Sequence, residues 1–234
     1  MKKQLLIAAL TIVSVKAFSQ VTVTGGSTAT YSTVNSAFAA INAGTHTGAI
    51  TIDITASTTE PATPTPLAAS GQGAANYTSI IMRPTVSATI VGAPVTGRGV
   101  LEFDGADNIT IDGDIVGGLV NRDLTIENNA VSTIAATASI RLIGRTTLGL
   151  GATNYTITNC KIVGSTPGND GFSGSTVANS YGIYAGANAA ALTTSGTGDN
   201  YDNITKMCIR DSIYCAFNCI ARFNRFPCTF EVNR

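Results

Sequence analysis

The sequence predicts an all-β protein, a parallel β-helix closed at its first turn by one short α-helix. Three observations point there. Charged residues make up 12% of the chain and aromatics 6%, against 24 glycines and abundant Thr, Val, Ile and Asn, as expected of many short strands joined by tight turns. Two short apolar elements recur along the middle of the chain. A single stretch near the start carries helical rather than strand periodicity.

The first recurring element is Asn108-Ile-Thr-Ile-Asp-Gly113, repeated as Asp123-Leu-Thr-Ile-Glu-Asn128 and Asn154-Tyr-Thr-Ile-Thr-Asn159, and begun again at Asn203-Ile-Thr205. Its apolar residues alternate, so one side of each strand can face a core. Asn or Gly at its ends tolerates the left-handed backbone of a sharp corner. Stacking would bring Asn108, Asn154 and Asn203 to equivalent corners, where their amides could form a ladder. The second element is Val100-Leu-Glu-Phe103, Ser139-Ile-Arg-Leu-Ile143 and Tyr181-Gly-Ile-Tyr184. It returns about every 40 residues, which we read as two coils per unit. A β-sandwich or stack of immunoglobulin-like modules is the competing architecture, but those often carry a core Trp and this chain has none.

The helix is expected near 32–43. Ser32 or Thr33 caps it, Val34, Ala37, Phe38 and Ile41 fall at i, i+3, i+4 and i+7, and Gly44 ends it. An open solenoid end exposes an apolar rung, and an amphipathic helix laid over it solves that problem.

The two termini differ from the middle. Lys2 and Lys3, the apolar run Leu5 to Val15 and the small-x-small Ala17-Phe18-Ser19 predict a signal peptide over 1–19, with Gln20 first in the mature chain. The apolar run is shorter than the ~20 residues a spanning helix needs. From Met207 the Thr/Gly/Ala texture stops, and Cys208, Cys215, Cys219 and Cys228 crowd together. Lys206-Met-Cys-Ile-Arg-Asp-Ser212 back-translates into a transposon end used in preparing sequencing libraries, so 207–234 is expected to be an assembly artefact. A genuine disulfide knot or metal site is the alternative, though the spacing, without histidine, fits no zinc pattern well. The segment left to interpret is 20–206, with Cys160 its one cysteine, read as a small buried hydrophobe. It carries seven basic and twelve acidic residues, net −5, which disfavours a nucleic-acid partner.

Tyr31-Ser-Thr-Val-Asn-Ser-Ala-Phe-Ala-Ala-Ile-Asn-Ala-Gly44 resembles the N-terminal cap of the pectin-lyase-like right-handed β-helix superfamily. Gly48-Ala-Ile-Thr-Ile-Asp-Ile54, Thr59-Glu-Pro61, Tyr77-Thr-Ser-Ile-Ile-Met-Arg-Pro84 and Gly105-Ala-Asp-Asn-Ile-Thr-Ile-Asp-Gly113 extend the likeness to Bacteroidota secreted and surface β-helix proteins. The resemblance spans about 22–205. It implies a right-handed coil and export as cargo of the type IX secretion pathway, with a sorting domain expected further on.

Candidate chemistry is sparse. Asp104, Asp107, Asp112 and Asp114 form the densest polar constellation. Such carboxylates could hold Ca²⁺, which takes six to eight oxygen ligands, or act as the paired acids of a glycosidase. Their Asp-Gly and Gly-Asp contexts equally mark turns, and no EF-hand spacing is present. Arg141 and Lys161 stand on or beside strands, where a lyase of this superfamily keeps its base and substrate clamp; outward, solvated positions explain them more simply. The superfamily's polygalacturonase motifs are missing from 20–206. His46 is read as an exposed residue of the Gly44–Gly48 loop. Four Asn-x-Thr sites, at Asn76, Asn108, Asn154 and Asn203, are read as corner chemistry, and Glu60 to Pro66 as a short loop. No catalytic or cofactor-binding residue is assigned. The expected function is a non-catalytic secreted or cell-surface module, an adhesin-like scaffold contacting polysaccharide or a surface protein. The alternatives are a purely structural spacer, and the front part of a polysaccharide lyase or glycoside hydrolase with its site beyond 206.

Overall fold

The computed structural model describes residues 19–115, 121–131, 134, 136–144, 151–165, 180–187 and 205–207. The leader expected over 1–19 (Ser19 aside), the corner at Asn203 and the tail after Met207 lie outside the described residues. The described residues form an all-β fold with one short helix. In chain order the elements are β1 (Val21–Gly25), β2 (Ser27–Tyr31), α1 (Val34–Asn42), β3 (Thr47–Ile54), β4 (Thr58–Glu60), β5 (Leu67–Ala68), β6 (Asn76–Pro84) and β7 (Ala88–Gly92). They continue as β8 (Gly99–Asp104), β9 (Ile109–Asp112), β10 (Leu124–Asn128), β11 (Thr137–Gly144), β12 (Tyr155–Thr158), β13 (Cys160–Val163), β14 (Ser180–Ala187) and β15 (Thr205–Met207).

From β3 onward every third strand pairs, always in parallel. One sheet runs β15-β12-β9-β6-β3 and continues into β1 and β2; a second runs β13-β10-β7-β4; a third runs β14-β11-β8-β5. The chain thus visits each sheet once per circuit, and each strand lies against the one a circuit earlier. This corrects two expectations. Val100–Phe103, Ser139–Ile143 and Tyr181–Tyr184 do stack, with Leu101, Ile140 and Ile183 in register, but the recurring unit is one circuit of three strands rather than two coils. Asp123–Asn128 is not a further copy of the Asn108 element. It lies in the second sheet, where Leu124 pairs with Ala88 and Cys160.

Alternation builds the interior. Ile52, Met82, Ile111 and Ile157 occupy one register row of the first sheet, and Ile90, Ile126 and Ile162 one row of the second. All belong to a single buried cluster that draws on the three sheets and on α1. Phe38 of α1, Phe103 of β8 and Tyr155 of β12 form an aromatic file through it, with ring centroids 5.5 and 5.6 Å apart. The buried Tyr155 hydroxyl donates to the Ala106 carbonyl at 2.8 Å, which satisfies it.

Corners use the residues the sequence offered. Asn108, Asn154 and Asn159 adopt φ of 58°, 58° and 54°, a region in which Asn is several-fold enriched among non-glycine residues. Asn154 Nδ2 donates to Asn108 Oδ1 at 3.1 Å, the first link of the amide ladder. Gly113 holds the place beside Asn159, where a Cβ would overlap the Asn159 carbonyl oxygen.

α1 buries Val34, Ala37, Phe38 and Ile41, the residues its spacing predicts, with roughly 2 kcal/mol available from each of the larger three. Its open backbone donors are all accounted for. Thr33 Oγ1 accepts from Ser36 N at 3.0 Å, and the Ser36 hydroxyl accepts from Thr33 N. No acidic residue lies in the helix's own first turn. Instead Glu60, at the end of β4, accepts from Val34 N at 3.0 Å and from Asn35 N at 2.9 Å, placing a carboxylate where the helix dipole favours one. The antiparallel hairpin β1–β2 has a recognisable signal in Val21-Thr-Val-Thr24 followed by Gly25-Gly26, although the repeat pattern does not include it.

Candidate functional site

The four aspartates sit at two different corners. Asp104 ends β8 and Asp107 lies on the turn into β9. Asp112 ends β9, and Asp114 opens the long connection to β10. Asp107 Oδ1 accepts from Thr153 N at 2.9 Å and Thr153 Oγ1 at 2.7 Å, tying one circuit to the next. Asp112 Oδ1 accepts from Asp114 N at 3.1 Å and Asn159 Nδ2 at 3.0 Å. Asp123 Oδ2 accepts from Ile115 N, and the Gly113 carbonyl takes the N–H groups of Asp123 and Leu124. Asp112 thus accepts within its own turn and from Asn159, Asp107 accepts from Thr153 46 residues on, and Asp123 accepts across the β9–β10 connection. Among the described residues no three His, Cys, Asp or Glu side chains converge as a metal site. Asp104 and Asp114 are buried rather than solvated.

Arg141 overturns its expected place. It is 4% exposed, on the outer side of β11 in register with Glu102 and Tyr184. Its Nη1 lies 3.3 Å from Glu102 Oε1. Glu102, itself 1% exposed, receives Arg98 Nε at 2.9 and 3.1 Å, Arg98 Nη2 at 2.7 Å and the Gly99 N–H at 2.8 Å. Arg98 also donates to the Pro64 carbonyl at 2.6 Å, so two successive connections between the second and third sheets meet over this acid. The pairing holds the Arg98 guanidinium above its usual range, chiefly through the Glu102 hydrogen bonds. Alternation shows that Glu102 and Arg141 point away from the core; it gives no sign of the loops that cover them. Lys161, by contrast, is exposed as expected.

His46 is also misplaced by the sequence reading. It is fully buried, with Nε2 2.7 Å from Tyr31 Oη and Nδ1 3.2 Å from both the Oγ and the carbonyl oxygen of Ser27. A lone histidine between threonines and glycines looks like loop; the β2 strand folding back over it is what buries it. Glu60, expected to open a short loop, instead ends β4 and faces the start of α1. Burial pushes its carboxyl above the usual range, against the Asn35 and Val34 N–H bonds that favour its ionised form. Cys160 is the small buried residue expected, its thiol pushed up to about 12 by burial. It is no reactive nucleophile.

The outward surface of the first sheet is plain. Thr51, Ile81, Thr110 and Thr156 share one register row, beside the exposed Arg83–Asp53 pair at 2.9 Å. No helix among the described residues is long and apolar enough to cross a membrane.

No protein-family model, curated protein or solved structure matches the chain.

Proposed function

We propose that this chain is a non-catalytic, exported scaffold: a right-handed parallel β-helix similar to the secreted and surface β-helix proteins of Bacteroidota. In this reading residues 1–19 direct export. The outward rows, such as Thr51–Ile81–Thr110–Thr156, offer polysaccharide or a surface protein a long, nearly uncharged face. The observation that carries the reading is where the charge goes. Glu102 and Arg141 are locked against each other under Arg98, and Asp107 and Asp112 hold backbone and amide donors of the neighbouring circuit. Sugar hydrolysis needs two carboxylates about 5–10 Å apart across a groove, and elimination needs a base beside a charge-neutralising cation, each free to meet substrate. Here the strongest candidates are committed to holding circuits and loops together.

The test is direct. The chain incubated with pectin, alginate and other uronans, with and without millimolar Ca²⁺, is expected to release neither unsaturated uronate nor new reducing ends. Release that disappears in Asp112→Asn or in Arg141→Ala, with the variant's fold checked by circular dichroism, would replace the scaffold by the lyase or hydrolase reading.

A further inference from the structure

From Ser19 to Ile52 the sequence has no Asp, Glu, Lys or Arg, and its one ionisable base is His46. That imidazole is fully buried against β2, the strand at the edge of its sheet, which pairs on one side only, with β1. The hydrogen bonds assign its proton. Ser27 Oγ donates to the Thr45 carbonyl at 2.8 Å, so the ring N–H lies on Nδ1 and donates to Ser27. Nε2 is then the acceptor of the Tyr31 hydroxyl at 2.7 Å. Burial pushes the Tyr31 phenol up, which keeps it the donor. The neutral ring thus ties both ends of β2, at Ser27 and at Tyr31, to the segment that leads into β3.

We propose that His46 is an acid-sensitive latch on β2. A proton taken from solvent adds to the Nε2 lone pair and removes the acceptor of the Tyr31 bond; the phenol must rotate and release its own hydrogen elsewhere. The cation so formed sits where no water reaches and no carboxylate answers it. β1, β2 and α1 contain no charged residue, and Tyr31 is the one titratable side chain bonded to the ring. Asp53, at the far end of β3, is paired with Arg83. Glu60 of β4 is committed to the N–H groups of Val34 and Asn35. A buried, uncompensated cation is costly, and the cheapest relief is to let the edge strand open while the later circuits stay closed. The latch is closed while the ring is neutral, and acid weakens it because the ring can take up a proton without that cost only when β2 is open.

Hydrogen–deuterium exchange on the full chain tests this, with rates corrected for intrinsic pH dependence. Protection of amides in 27–31 is expected to fall about tenfold between pH 7.5 and pH 5, while β6 and β9 hold theirs. His46→Gln should remove the pH dependence, and Tyr31→Phe should lower protection already at pH 7.5. His46 is the chain's one histidine, so its imidazole resonance can be followed by NMR even if His46→Gln does not fold; it should remain that of a neutral ring wherever β2 is still protected. Protection that stays constant over this range, that falls equally in His46→Gln, or that is kept in full while the resonance shows a protonated ring would overturn the latch.

Discussion

Replacing Phe103 by alanine is expected to lower the unfolding free energy by about 3–5 kcal/mol, among the largest losses a single core truncation gives. Phe103, in β8 of the third sheet, is 0% exposed and is the middle member of the file that joins Phe38 of the helix to Tyr155 in β12 of the first sheet. Its removal leaves a void that two rings from different elements cannot close together. Stacked circuits owe much of their stability to nearest-neighbour contacts, so the loss should appear first as weakened docking of α1. Denaturant unfolding followed by far-ultraviolet circular dichroism measures it. Ile81→Thr, on the exposed outer face of β6, is the control and should change stability by about 0.5 kcal/mol or less. An equal effect of the two substitutions would mean that the file is not the core.

The second large effect concerns Glu102. Glu102→Gln keeps the shape and removes the charge that Arg98 and Arg141 share, and Arg141 stays buried while Arg98 is exposed enough to turn to water. Breaking a buried pair from one side costs about 3–5 kcal/mol, whereas replacing both partners by apolar groups is often neutral or better. The double variant Glu102→Leu, Arg141→Leu should therefore be more stable than Glu102→Gln alone, and urea midpoints of the cycle measure the coupling. Losses that simply add would show that the two residues do not depend on each other.

These cases show which features the sequence could reveal. The rows of Ile and Leu, the Asn corners and the helix cap were legible because each follows from local chemistry: a period of two, a left-handed φ, or a period near 3.6 with a hydroxyl before it. Val34, Phe38 and Ile41 are buried as their spacing requires, and Asn108 and Asn154 meet at 3.1 Å. What was not legible depends on which segment covers which. Glu102 and Arg141 alternate outward, yet the connections carrying Pro64 and Arg98 close over them. His46 lies in a Thr/Gly context, yet β2 folds back across it. Asp123–Asn128 matches the Asn108 element in pattern, but a repeat pattern alone does not say which copy sits above which; that depends on the length of each circuit.

That last ambiguity gives the sharpest test of the whole account, which is that each circuit places one strand in each of three sheets. Thr110 and Thr156 are register partners on neighbouring parallel strands, about 4.8 Å apart, with outward side chains. Thr125 is nearer to Thr110 in sequence and occupies the same place in its own element, but lies in another sheet, beside Thr89 and Lys161. Cysteine pairs at these positions, in a background with the native cysteines replaced by alanine, can be joined by a short bimane cross-linker and read by mass spectrometry. Thr110→Cys with Thr156→Cys should cross-link almost completely and Thr110→Cys with Thr125→Cys hardly at all; the reverse yield would contradict the three-sheet circuit.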